Sequence, residues 1–192
     1  MLVIILARKG SKRCPSKNIR PFTSESNSIL WECVRKASYL NSKIVVNTDY
    51  ENVLAHIPLG IKVEVMMRDK ELCGDDVTSE AVVRTVLDKY PDDNFCLMQA
   101  TSPSLKISSL MDARNFAIGG FVPSPHDSVI AVAPNFQPCG AFYFCKKKAF
   151  DEHGTWWTPN AFLYTLDWKE AFDINTDYEF SIAQALHSSR VR

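Results

Sequence analysis

MLVIILARKGSKRCPSKN, residues 1–18, carries an apolar run that ends abruptly in a strongly basic segment. The stretch VIIL at 3–6 shows no alternation, as expected of a strand covered on both faces of a sheet. The basic segment is unusual: Arg8, Lys9, Lys12, Arg13, Lys17 and Arg20 all precede the first carboxylate of the chain, Glu25. Yet the 192 residues balance 22 Lys and Arg against 22 Asp and Glu. Without net charge there is no global field to draw nucleic acid or a membrane surface. The positive charge is therefore a local device on the loop after the first strand.

In open α/β sheets ligands bind beyond the carboxyl ends of the strands, and the first such loop is a favoured phosphate site. Backbone N–H groups in a Gly/Ser-containing loop, with Lys and Arg converging on them, can cradle a triphosphate. Two common versions are excluded. Five residues beyond Gly10 stands Pro15, with no Gly-Lys-Ser/Thr after it, and Gly10 is the sole glycine of the loop, too few for a dinucleotide fingerprint. From composition alone, a solvated basic loop stands as the alternative.

The rest of the chain alternates strands and helices. A helix is predicted from about Ser28 to Leu40, where Leu30, Cys33, Val34, Ala37 and Leu40 recur at helical spacing, followed by a short strand at 44–46. A short helix over 50–56, a strand at 62–66, a helix from Thr78 to Tyr90, a strand at 95–99 and a helix from about Ile107 to Ile118 continue the rhythm. After Gly119 come two strand-like runs, SVIAVA (128–133) and GAFYFC (140–145), with FVPSP and APNFQP as loops. TDYE at 176–179 is a capping-box pattern opening a last helix from Asp177 to about His187. The expectation is a single α/β domain over residues 1–192, Rossmann-like, with a mostly parallel sheet and helices on both faces. Six widely spaced cysteines without a C-x-x-C pair suit neither zinc nor a disulfide framework and are read as reduced, most of them as core residues. No stretch is long enough to span a bilayer and no signal-peptide pattern occurs, so a cytoplasmic location is expected.

The motifs now identify a resemblance. ILARKGSKRCPSKN resembles the A-R-x-x-S-K-x-x-P-x-K-N motif of the acylneuraminate cytidylyltransferases, the CMP-sialic acid synthetases, with Ala7, Arg8, Ser11, Lys12, Pro15, Lys17 and Asn18 all in place. MRDKELCGDDVTSE, LMQATSP, CGAFYF and FDINTDYEF resemble four further motifs of that family in the same order, so the likeness covers nearly the full chain.

The resemblance implies transfer of CMP from CTP to a nonulosonic, sialic-acid-like sugar with release of pyrophosphate. It implies that Arg8, Ser11, Lys12 and Lys17 hold the phosphates, with Lys17 stabilising charge as the bond to pyrophosphate breaks. Asn18 and Arg68 would meet the nucleoside, Ser79 the ribose, and Gln99 and Tyr143 the acceptor. Asp173 and Asn175 would carry Mg2+, the second position holding an uncharged amide where the family has a carboxylate. Without the resemblance, Arg68 reads as a salt bridge to Asp69 or Glu71, Ser79 as a helix-start residue, Gln99 as a polar strand end and Tyr143 as core. His126 and His153 match no motif and are given no role.

Departures concentrate in the acceptor half: Cys139 replaces Asn, Ala100 replaces Pro, and Ser104-Leu105 replaces Leu-Arg. The family's dimerisation arm is reduced to residues 134–139, so a homodimer is an open expectation. Trp156 and Trp157 fall where the family has an aromatic pair facing a partner, with packing inside the same chain as the equal alternative. Rival readings keep CTP but change the acceptor to a KDO-like sugar acid or a phosphonate, or take the chain as a nucleotide-binding protein that has lost catalysis.

Overall fold

The computed structural model describes residues 1–119 and 124–188. Seven strands form one sheet: β1 (Leu2–Ala7), β2 (Lys43–Thr48), β3 (Glu64–Met67), β4 (Asn94–Gln99), β5 (Ser128–Val132), β6 (Pro138–Lys146) and β7 (Ala161–Thr165). Their order is β3-β2-β1-β4-β6-β5-β7. β6 runs antiparallel to β4 and β5, and every other pairing is parallel. The predicted Rossmann-like class therefore holds, with one reversed strand. Because β2 and β3 are added on one side of β1 and β4 on the other, the order reverses between β1 and β4. That reversal opens a crevice at their carboxyl ends, where the basic loop begins.

Alternation along β1 shows why the strand reads as continuously apolar. Val3 and Ile5 belong to one buried cluster, with α1 (Ile29–Ser38), α3 (Ile107–Ile118) and α5 (Asp177–Ser188) covering it, while Leu2 and Ile4 belong to the opposite one under α2 (Ser79–Lys89) and α4 (Lys147–His153). The helices start where side chains satisfy their first N–H groups. Ser28 accepts from the Trp31 N–H at 3.2 Å and Thr78 from the Ala81 N–H at 3.2 Å. At α5 the capping box is complete: Thr176 Oγ1 accepts from the Glu179 N–H at 3.2 Å, and Glu179 Oε2 accepts from the Thr176 N–H at 2.7 Å.

The structure corrects several boundaries. Between 50 and 56 only Val53–His56 winds, as a 3-10 turn, and the strand expected at 62–66 lies at Glu64–Met67. α4 and β7 were not expected at all. Of the FVPSP loop, residues 121–123 lie outside the described residues. Where the resemblance led to the expectation of a reduced arm, β5 returns to β6 through a tight hairpin in which the Ala133 N–H donates to Gln137 O at 2.8 Å and Phe136 adopts φ +62°. The six cysteines are all free thiols, and every one but Cys73 is buried.

Trp156 and Trp157 part company. Trp156 is buried, stacked on Phe150 at 6.1 Å between ring centroids and against Tyr143 at 4.8 Å, whereas Trp157 is 41 % exposed. The intrachain alternative thus describes Trp156. Trp156→Ala is expected to cost about 3–5 kcal/mol in denaturant unfolding, and Trp157→Ala no more than about 0.5 kcal/mol.

Candidate functional site

The loop after β1 is built to present its cations. Cys14 is fully buried and pins the middle of the loop, and Ser16 turns through φ +55° so that the Ile19 and Arg20 N–H groups both donate to its carbonyl at 3.0 Å. Asn18, buried, donates from Nδ2 to Arg8 O at 3.0 Å, closing the loop on its own first residue. The Lys9 N–H donates to Asp49 Oδ1 at 2.6 Å, fixing the loop to the residue just beyond β2.

These anchors leave Arg8, Ser11, Lys12, Arg13, Lys17, Asn18, Asp75 and Asn175 around a cleft of about 480 Å³. Arg8, Lys17 and Asn18 also line a second, smaller cavity of about 160 Å³ shared with Arg68, Ser79, Gln99 and Thr101. The two adjoin at those shared residues, the first lined largely by cations and the second by a mixed polar set. A larger cavity, about 720 Å³, lies elsewhere, against Trp31, Glu32 and Pro103. Its charges are spent internally: Arg35 pairs with Glu32 at 2.9 Å, Lys36 donates to Pro103 O, and Lys106 pairs with Glu170 at 3.0 Å. The adjoining pair beside the basic loop is therefore the candidate site.

Lys17 sends Nζ to the carbonyl of Ile174 at 2.6 Å, across 157 residues of sequence. Burial pushes its pKa below that of an ordinary lysine, and the nearby Asp173 partly offsets this. Arg8 donates from Nη1 to Cys73 O at 3.1 Å and from Nη2 to Asp75 Oδ1 at 2.6 Å, and Lys12 pairs with Asp75 Oδ2 at 2.7 Å. Those two cations hold the Asp75 carboxyl below its ordinary range. Arg68 makes no bridge to Asp69 or Glu71. It is buried, with Nε donating to Asn47 Oδ1 at 2.6 Å and Nη2 to Asn47 O at 3.2 Å. Ser79 opens α2 at the edge of the smaller cavity. Gln99 lies directly over Gly140, whose φ is +73° and where an added Cβ would come within 2.8 Å of Gln99 Oε1. A side chain at 140 would be strained by that φ and would push the Gln99 amide from its place.

Two of the expected residues sit apart. Tyr143 points into the buried cluster beside Trp156 rather than lining either cavity, and burial raises its phenol pKa to about 12. Its alternating position in β6 decides this: Phe142 and Phe144 face one side of the sheet and Tyr143 and Cys145 the other. Asp173 approaches the cleft from behind Lys17. Its Oδ2 accepts from Asn175 Nδ2 at 2.8 Å, while Oδ1 is buried without a hydrogen-bond partner among the described residues. Asn175 turns its oxygen to Arg13, accepting from Nη2 at 3.2 Å. Among the described residues no group of three or more His, Cys, Asp or Glu converges to cage a metal. One unpartnered carboxylate oxygen beside a phosphate-sized cleft does fit magnesium, which commonly takes one or two carboxylates and completes its shell from phosphate and water. Arg13, Asn47 and Asp75 were missed from sequence. Arg13 belongs to the same basic run, and only the position of Asn175 singles it out.

The fold and this cleft define a nucleotide-handling α/β protein. The chain belongs to the cytidylyltransferase family, whose pattern it matches over residues 2–115. It is 25 % identical to a pseudaminic acid cytidylyltransferase of Campylobacter jejuni, over 97 % of this chain and 95 % of that protein. It is 24 % identical to an N-acylneuraminate cytidylyltransferase of Streptococcus agalactiae, over 93 % of this chain but 51 % of that protein. The chain thus spans about half the length of the N-acylneuraminate cytidylyltransferases it matches. Its fold superposes on a CMP:2-keto-3-deoxy-manno-octonic acid synthetase solved with CTP, with a TM-score of 0.73 at 11 % identity and 98 % of both chains covered.

Asp75 occupies donors that an anion entering the cleft would need. Asp75→Asn is expected to tighten binding of CTP by about three- to fivefold, the size of two exposed ion pairs released, as measured by titration calorimetry.

Proposed function

We propose that this chain transfers CMP from CTP to a sugar acid of the nonulosonic class, releasing pyrophosphate. The observation that carries the reading is the convergence of Arg8, Lys12, Arg13 and Lys17 on one cleft that shares Arg8, Lys17 and Asn18 with an adjoining pocket lined by Arg68, Ser79 and Gln99. A triphosphate fits the cationic end, a nucleoside and the acceptor the other. The names of its relatives agree on the nucleotide and on an acidic sugar, differing in which one.

In the reaction a hydroxyl oxygen of the acceptor attacks the α-phosphorus of CTP. The bond from that phosphorus to the bridging oxygen of pyrophosphate breaks, its electron pair leaves with pyrophosphate, and the hydroxyl proton passes to solvent. Such a displacement asks the protein for alignment and charge stabilisation more than for covalent help. Arg8, Ser11 and Lys12 bind the outer phosphates, and Lys17, held by Ile174 O, meets the charge that grows toward the leaving group. Asn18 and Arg68 orient the nucleoside, Ser79 the ribose, and Gln99, seated over Gly140, the acceptor. Asp173 Oδ1 would hold Mg2+, with Asn175 beside it as an oriented amide. When bound, the ion neutralises phosphate charge and sharpens the electrophilicity of phosphorus. Tyr143 supports this wall of the site from the core.

Pyrophosphate release is expected with CTP, Mg2+ and one member of a panel of nonulosonic acids, KDO-like acids and phosphonates. ATP, GTP and UTP are expected to stay silent. CTP binding without turnover of any acceptor would favour the second reading, a nucleotide-binding protein, to which the amide at Asn175 lends support. Lys17→Met is expected to lower kcat by about 10²–10³ with a smaller change in KM for CTP. The depressed Lys17 pKa also sets the alkaline limit. The required ammonium is lost as pH rises, at a pH below the ordinary lysine value of 10.5. The kcat/KM profile of the free enzyme should therefore fall early on the alkaline side, and Lys17→Arg, which stays charged, should move that limb upward even where it lowers the rate.

A further inference from the structure

At the carboxyl ends of the strands the register sets a row of residues beside the smaller cavity, which Leu6, Arg68 and Gln99 line. Leu6 pairs with Asn47 on one side and Gln99 on the other, and Asn47 pairs with Met66, two residues before Arg68. Asn47 is 1 % exposed, yet its Nδ2 has no hydrogen-bond partner among the described residues. A buried amide that leaves its donor unsatisfied is costly, and such an atom in a folded protein calls for an explanation. Here the oxygen half supplies it. Oδ1 takes Arg68 Nε at 2.6 Å, the backbone oxygen of the same residue takes Nη2 at 3.2 Å, and the Arg68 N–H is tied to Thr48 O at 2.7 Å.

A guanidinium carries five N–H donors in a fixed plane. Asn47 takes two of them and so sets the orientation of that plane. Among the described residues Nη1 and the second hydrogen of Nη2 have no hydrogen-bond partner, on a side chain that lines the cavity. Two neighbouring donors match the adjacent O2 and N3 acceptors of cytosine. Uracil presents a donor, N3–H, at the second position and leaves one guanidinium hydrogen facing another.

We propose that Asn47 is a positioning residue that fixes the plane of Arg68 against the pyrimidine and thereby sets the preference for cytosine over uracil. The proposal rests on the reading of Arg68 as a base-contacting residue. It explains why a polar side chain at the end of β2 is buried without satisfying its own donor: the amide is oriented for its neighbour. A freely rotating arginine would adapt to either base, whereas a held one discriminates, because a polar group left unpaired in a closed site is penalised.

The test is calorimetric titration of the protein with CTP and with UTP in Mg2+, for the unmodified chain, Asn47→Leu, Asn47→Asp and Arg68→Met, each checked for a cooperative thermal transition. Asn47→Leu keeps the volume and removes the acceptor. It should weaken CTP about tenfold and UTP less than threefold, so the preference falls. Asn47→Asp keeps an oxygen opposite Nε and should preserve the preference within about threefold, a rescue that packing alone does not predict. An unchanged preference in Asn47→Leu overturns the proposal, as does a tenfold fall in Asn47→Asp. If the leucine variant does not fold, Asn47→Ala is read by the same criterion. Arg68→Met separates the layers: unchanged CTP affinity there removes the base-contact reading itself, while lost CTP affinity with an unchanged preference in Asn47→Leu removes the positioning role alone.

Discussion

A hydrogen bond ties the first loop to the segment before α5: Lys17 Nζ donates to Ile174 O at 2.6 Å. Cations gathered on one loop repel one another, and a loop left to itself would splay them into water. Here the segment before and into α5 counters that repulsion. Arg13 reaches Asn175, Arg20 pairs with Asp177 at 2.6 Å, and its guanidinium lies 3.8 Å over the Phe180 ring. The capping box in turn fixes the approach to α5, since Glu179 Oε2 accepts from both the Asn175 and Thr176 N–H groups. The geometry of the first loop therefore depends on a helix formed last in sequence, and its charges are oriented before a ligand arrives, which is where electrostatic catalysis gains most.

The sheet supplies the other half of the constraint. A crevice exists because the strand order reverses between β1 and β4, and the residues that fill its floor are simply the last ones of each strand. Thr48 Oγ1 donates to Ala7 O at 2.6 Å and so binds the end of β2 to the end of β1, directly beneath Arg8. On the far side the hairpin at 133–137 closes β5 onto β6 and delivers Gly140 to Gln99. On the proposed reading, the acceptor side of the site is built by β4 and β6.

Much of this was legible because it is periodic or local. The unbroken VIIL run, the helical spacing in α1 and α2 and the TDYE box each state their structure within a few residues. α4 and β7 escaped for physical reasons. KKKAFDEH at 146–153 buries only Ala149 and Phe150, so no apolar stripe announces a helix, and AFLYT is short and half-exposed. The cations of the site were legible as a cluster, and motif order carried Arg68, Ser79 and Gln99 to the same place. Pairing across distance was not legible. Asn47 reads as a polar strand end and Asp75 as one of two acids in a loop, until the fold sets the first against Arg68 and the second between Arg8 and Lys12. Tyr143 shows the converse, since a motif position does not say which face of β6 a residue takes.

Charge balance ties these observations together. Around the cleft four cations face Asp75 and, behind Lys17, Asp173. Asp75 is held by two of those cations, and Asp173 offers one unpartnered oxygen. With an amide at 175 bound to Arg13, a guanidinium contributes positive charge beside the position where a second carboxylate would recruit a metal. On the proposed reading, neutralisation of a triphosphate in this cleft would fall more on fixed side chains and less on an exchangeable ion. Side-chain cations are carried by the fold and cost no metal capture, but they must be kept apart and aimed. That requirement is what the long-range ties from the first loop to the start of α5 satisfy.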